Sequence, residues 1–87
     1  MSSDAKARLF RELPSIDEIL RQPEIQQLSL RDGHSAVTVA IRAVLDRLRR
    51  EISHGHLNEQ ALDLALTNLP AAIDRQLRQF LDYALRP

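Results

Sequence analysis

Gly33–Gly55, GHSAVTVAIRAVLDRLRREISHG, sets the architecture of this chain. It runs for about six helical turns without a proline, bracketed by the only two glycines, and so predicts one long helix. At roughly 100° per residue, Val37, Ile41, Val44, Leu45, Leu48 and Ile52 fall in a stripe about 100° wide, the width of a core-facing surface. Arg42, Asp46, Arg49, Arg50 and Ser53 fall on the opposite side, with Arg47 at the edge of that polar arc. The solvent face therefore sets four arginines against Asp46 and the flanking Glu51, and it is net basic.

On the N-terminal side, Met1 to Asp4 reads as a frayed tail, with Ser3 or Asp4 capping a first helix through Leu13 that buries Leu9 and Phe10. Pro14 stops it. Ser15 and Glu18 match the S-x-x-E capping box and predict a short helix with Ile16, Ile19 and Leu20 inward. Pro23 suits the first position of a further helical turn through Ile25 and Leu28, because its missing N–H would be unpaired there anyway. Leu30 to Gly33 is the expected connection into the central helix.

On the C-terminal side, Asn58 is a good N-cap, and Leu62, Leu66 and Leu69 are spaced for one buried face. Pro70 disfavours the helical conformation at Leu69 and suits the first turn of a last helix, along which Ile73, Leu77, Phe80, Leu81 and Ala84 repeat at helical spacing. No segment alternates as a strand would. The expected class is all-α: a small helical bundle with one long central helix, a C-terminal helix packed on it and shorter N-terminal helices.

Composition narrows the function classes. The 87 residues make one small domain, able to bury roughly 60% of the unfolded chain's surface. With no cysteine, neither disulfides nor thiolate metal sites hold the fold. No apolar run approaches the ~20 residues of a membrane span, and the N-terminus lacks a signal-peptide pattern. Net charge is zero but uneven: residues 31–54 carry five basic and three acidic side chains, whereas the segments on either side lean acidic. Neutrality argues against a histone-like polyelectrolyte binder. A basic strip on one helix can still meet a phosphate backbone of defined shape.

Catalytic signals are poor. His34, His54 and His56 lie at the ends of the central helix, and Glu51 with His54 makes a single Glu-x-x-His pair, where a di-metal bundle needs two such pairs and further carboxylates. There is no glycine-rich phosphate loop, no H-E-x-x-H motif and no nucleophile in a recognisable context, so no catalytic residue and no metal ligand is assigned.

Binding is the remaining class. Arg47, Arg49 and Arg50 sit in the last turns of a helix, where cations interact favourably with the macrodipole by about 0.3–1 kcal/mol each and need no ligand. The alternative is that Arg42, Arg49 and Arg50, helped by Arg31 at the approach to the helix, lie along nucleic-acid phosphates. Phe10, Phe80 and Tyr83 are the only aromatics, and assigning both phenylalanines to the core argues against base stacking. Shape and electrostatic recognition of a folded helical nucleic acid remains. A less concentrated basic patch, Lys6, Arg8, Arg11 and Arg21, is interrupted by Glu12, Asp17 and Glu18.

The segment Leu13–Ile52 resembles the N-terminal region of bacterial selenocysteine synthase, the L-seryl-tRNA(Sec) selenium transferase. The Leu13-Pro14-x-x-Asp17 opening, Gly33-His34 before an aliphatic helix and the ending Leu85-Arg86-Pro87 carry the likeness. In that family a similar L-R-P leads into the catalytic domain, so the resemblance implies that residues 1–87 form a single N-terminal tRNA-binding domain, with the catalytic domain absent from this chain. It further implies a cytoplasmic, pyridoxal-phosphate-dependent homodecamer that converts seryl-tRNA(Sec) to selenocysteyl-tRNA(Sec) with selenophosphate. In it the N-terminal domain recognises the D-arm side of tRNA(Sec) and adjoins its own catalytic domain. The Schiff-base lysine belongs to that other domain, and this chain has one lysine, Lys6. The expectation is a monomeric, non-catalytic module without a cofactor of its own, its candidate RNA-binding residues being Arg31, Arg42, Arg49 and Arg50. A structural or protein-interaction helical domain is the competing reading.

Overall fold

Several helices of this chain begin or end where local chemistry supplies a partner for the orphan backbone groups. The computed structural model describes residues 3–84, in which the elements are α1 (Ser3–Glu12), α2 (Ile16–Leu20), α3 (Pro23–Asp32), α4 (His34–Ser53), α5 (Glu59–Thr67) and α6 (Leu69–Ala84). Of the expected Met1–Asp4 tail, Ser3 and Asp4 are not frayed but form the first turn of α1; Met1 and Ser2, the Leu85-Arg86-Pro87 ending, and the side chains of Ser3, Tyr83 and Ala84 lie outside the described residues. Asp4 sits in the first turn of α1, where a carboxylate favours the helix dipole.

The capping box is present: the Glu18 amide donates to Ser15 Oγ at 3.1 Å while the Ser15 amide donates to Glu18 Oε1 at 3.5 Å. Pro23 opens α3. At the start of α5 the Ala61 amide donates to Asn58 Oδ1 at 2.8 Å. The end of α4 is a Schellman motif. Gly55, with φ of 75°, donates to the Ile52 carbonyl at 3.0 Å, and the His56 amide reaches back to the Glu51 carbonyl at 2.8 Å.

Two further boundaries differ from expectation. Leu30–Gly33 is not a connecting loop, because α3 continues through Asp32 and Gly33 alone separates it from α4. A glycine at φ 95° and ψ 148° turns the chain in one residue: its N–H closes α3 on the Ser29 carbonyl at 2.8 Å, and its carbonyl accepts from Val37 at 3.2 Å. Leu69 is likewise helical despite preceding Pro70, and belongs to α6 rather than α5. It is 1% exposed and packs in the main core. Burying such a side chain is worth about 1.5–3 kcal/mol, enough to override the pre-proline preference.

The predicted stripe of α4 is the centre of that core. Val37, Ile41, Val44, Leu45 and Leu48 are buried, with Ala40, against Ile19 of α2, Ile25 and Leu28 of α3, and Leu69, Ile73 and Leu77 of α6. Ile52, one turn further on, joins Leu9 of α1 and Leu62 of α5 in a smaller second cluster. Leu66 is half-buried at its edge. Thus, among the described residues, α4 is the only helix contributing buried residues to both clusters, and α6 is the helix packed most extensively on it.

The phenylalanines do not follow the expectation. Phe10 is 38% exposed and Phe80 is 45% exposed. On α1 the inward face takes Leu9, and its neighbour Phe10, about 100° around the helix, is left on the flank. On α6 the apolar face is fully covered only as far as Leu77; Phe80 and Leu81 lie beyond that cover. The argument from aromatic burial against base stacking therefore falls.

Candidate nucleic-acid interface

The face of α4 turned away from the core carries the candidate arginines. Arg42, Arg47, Arg49 and Arg50 are all exposed. Arg42 and Arg49 are seven residues apart, two turns, so they share one line along the helix about 10 Å apart. Arg50 lies next to Arg49 around the helix. Arg49 Nη1 donates to Asp46 Oδ1 at 3.3 Å, a solvent-exposed i,i+3 pair of the kind worth 0 to about 1 kcal/mol. Among the described residues, no carboxylate pairs with Arg42, Arg47 or Arg50.

Arg31 is placed differently. At the C-terminal end of α3 its Nε and Nη2 both donate to Asp32 Oδ2, at 2.9 and 2.7 Å, and Nη2 also donates to Asp74 Oδ1 of α6 at 2.6 Å. The hydrogen bonds to Asp32 and then Asp74 push the guanidinium's pKa further up, so it stays charged. Arg78 approaches the same Asp74 oxygen at 3.7 Å. Arg31 thus fastens α3 to α6. It enters beside the first turn of α4, whereas Arg49 and Arg50 are about 24 Å further along that helix, so the four candidates do not form one cluster.

The histidines also separate. His34 and His54 lie at opposite ends of α4, about 30 Å apart along its axis, while the His54 and His56 rings are 5.8 Å apart at the other end. No group of three or more potential metal ligands occurs among the described residues. Lys6 Nζ donates to the Ser53 carbonyl at 2.9 Å, tying α1 to the end of α4, and Arg8 pairs with Glu59 at 3.5 Å. These two form part of the rim of a cleft of about 550 Å³ whose apolar wall includes Leu9, Ile52 and Leu57. A second cleft, of about 370 Å³, lies between α4 and α6 and brings Arg47 together with Arg75. Sequence reading passed over Arg75, since nothing in helical periodicity says which residue of α6 faces which residue of α4.

A protein-family model described as Selenocysteine synthase N terminal matches residues 10–49. The chain carries a selenocysteine synthase N-terminal domain. The matched residues run from the end of α1 to Arg49 and so include Arg31, Arg42 and most of α4. Several curated proteins named L-seryl-tRNA(Sec) selenium transferase are similar. That of Caldanaerobacter subterraneus subsp. tengcongensis is 32% identical over 73 residues, 84% of this chain and 16% of the relative. That of Klebsiella pneumoniae is 42% identical over 53 residues, 61% of this chain and 11% of the relative. That of Geobacter sulfurreducens is 33% identical over 78 residues, 90% of this chain and 16% of the relative. This selenocysteine synthase N-terminal domain therefore spans about a sixth or less of the length of these relatives. No solved structure matches it. Among the described residues no helix is long and apolar enough to cross a membrane.

Proposed function

We propose that this domain is the tRNA(Sec)-recognition module of an enzyme that converts seryl-tRNA(Sec) to selenocysteyl-tRNA(Sec). The observation that carries the reading is the selenocysteine synthase match, which runs along α4 to Arg49 and so covers much of its basic face. The substrate class comes from the relatives, whose name specifies L-seryl-tRNA(Sec) as the molecule they act on. In this reading Arg42, Arg49 and Arg50 lie along phosphates, positioning the module, while the geometry of the D-arm side supplies discrimination. Arg31 is the weakest of the candidates, because RNA there has to compete with Asp32 and Asp74. A cytoplasmic setting and a homodecameric whole protein follow from the same family likeness, with the isolated domain a monomer.

Catalysis and its pyridoxal phosphate are assigned to a separate domain. The residues here do not fit that cofactor: the one lysine, Lys6, is held against the Ser53 carbonyl at the end of α4. The deciding experiment is a parallel titration of the domain with tRNA(Sec) and tRNA(Ser), which share the serine identity but differ in arm geometry. Tighter binding to tRNA(Sec) is expected. Binding to neither would overturn the reading in favour of a structural or protein-interaction module.

A further inference from the structure

We infer that the cleft between α4 and α6 is a phosphate-binding site, gripped by Arg47 and Arg75. Taking an RNA backbone as the source of that phosphate rests on the tRNA reading above. Of the arginines with a described acid partner, Arg8 is matched to Glu59, Arg31 to Asp32 and Asp74, Arg49 to Asp46, and Arg78 to Asp74. Arg47 and Arg75 have none among the described residues, yet they come from two different helices to line one concave surface. No acidic residue lines that surface: the remaining walls are Asn68 and the apolar Val44, Leu48, Ala65, Leu69, Ala71 and Ala72.

Its chemistry suits an anion. Two guanidiniums attract negative charge, and Asn68 keeps one N–H beyond the one its Nδ2 donates to the Leu64 carbonyl at 3.0 Å. Arginine's planar fork matches phosphate oxygens two at a time, which a lysine cannot do. The volume of about 370 Å³ is near the lower end of ligand clefts and suits a phosphate with part of its sugar rather than a folded partner. Arg47 stands about 140° around α4 from Arg42, so the cleft extends the basic face onto α6 instead of repeating it. The larger cleft is less suited, since its Lys6 and Arg8 are engaged with Ser53 and Glu59.

The test is a titration of tRNA(Sec) across a range of salt, comparing wild type with Arg47→Ala/Arg75→Ala, beside NMR titration of wild type with inorganic phosphate. Circular-dichroism melts verify that the variant folds. The double variant should bind tRNA(Sec) several-fold more weakly, with a salt slope flatter by roughly 0.7–0.9 unit for one lost phosphate. Arg47→Lys/Arg75→Lys, which keeps the charge but loses the fork, should retain the slope and lose part of the affinity. A double alanine variant that binds as wild type does, with the same slope, overturns the site and leaves the tRNA reading standing. If wild type fails to bind tRNA(Sec), the RNA source is overturned. The phosphate arm then decides: shifts of the Arg47 and Arg75 side-chain N–H signals support a phosphate site, and their absence overturns it.

Discussion

The two ends of α4 use arginine in opposite ways. Beside its first turn, Arg31 is held by two aspartates, one of them on α6, 43 residues away in the chain. Towards its last turns, Arg47 and Arg50 have no described acid partner, and Arg49 has one exposed aspartate. The same residue type thus closes a fold at one end and leaves charge facing outward at the other. A count of basic residues along the sequence cannot separate these roles, but a carboxylate brought in by another helix can.

The largest expected effect tests the platform both sets share. Leu48→Ala removes a buried side chain of the central stripe and should destabilise by about 2–5 kcal/mol, lowering the melting temperature by about 8 °C or more. Because Leu48 also lines the α4–α6 cleft, partial collapse should hold the loss toward the lower end of that range. A loss no larger than that of a surface substitution would mean that α4 is wrongly oriented.

Next in size is Arg42→Ala/Arg49→Ala/Arg50→Ala. The melt should move little, while tRNA(Sec) affinity falls and the salt slope flattens by about two units if each arginine meets its own phosphate. An unchanged slope would reduce these arginines to helix solvation and dipole pairing. Smallest is the contrast between Arg31→Ala and Arg49→Ala. The former should lower the melting temperature measurably, because Asp32 and Asp74 lose their shared cation. The latter should alter stability by no more than about 0.5 kcal/mol, since its only described partner is an exposed pair. Equal melting temperatures for the two variants would remove the distinction between the ends.

What the sequence revealed was chemistry confined to one helix and its caps. The α4 stripe, the Ser15–Glu18 box, the Asn58 cap and the Gly55 stop each depend on residues within a few positions of one another, so periodicity and cap preference suffice to find them. What stayed hidden depends on a second element. Phe10 and Phe80 sit on or beside apolar faces, and only the extent of the neighbouring helices decides that they remain partly exposed. The Arg31–Asp74 pair and the Arg47–Arg75 cleft are both meetings of α6 with another helix, which no local pattern encodes.

The corner at Gly33 has a further consequence. A side chain there would meet nothing within 4 Å, so a larger residue is not refused for lack of room. It is refused by the backbone, whose φ of 95° and ψ of 148° lie in territory essentially reserved for glycine, where another residue costs on the order of 1–3 kcal/mol. With no loop to take up error, the angle between the helix bearing Ile25 and Leu28 and the helix bearing the arginines is stored in two torsions of one residue. A single codon there carries the geometry of a joint that longer turns would spread over several.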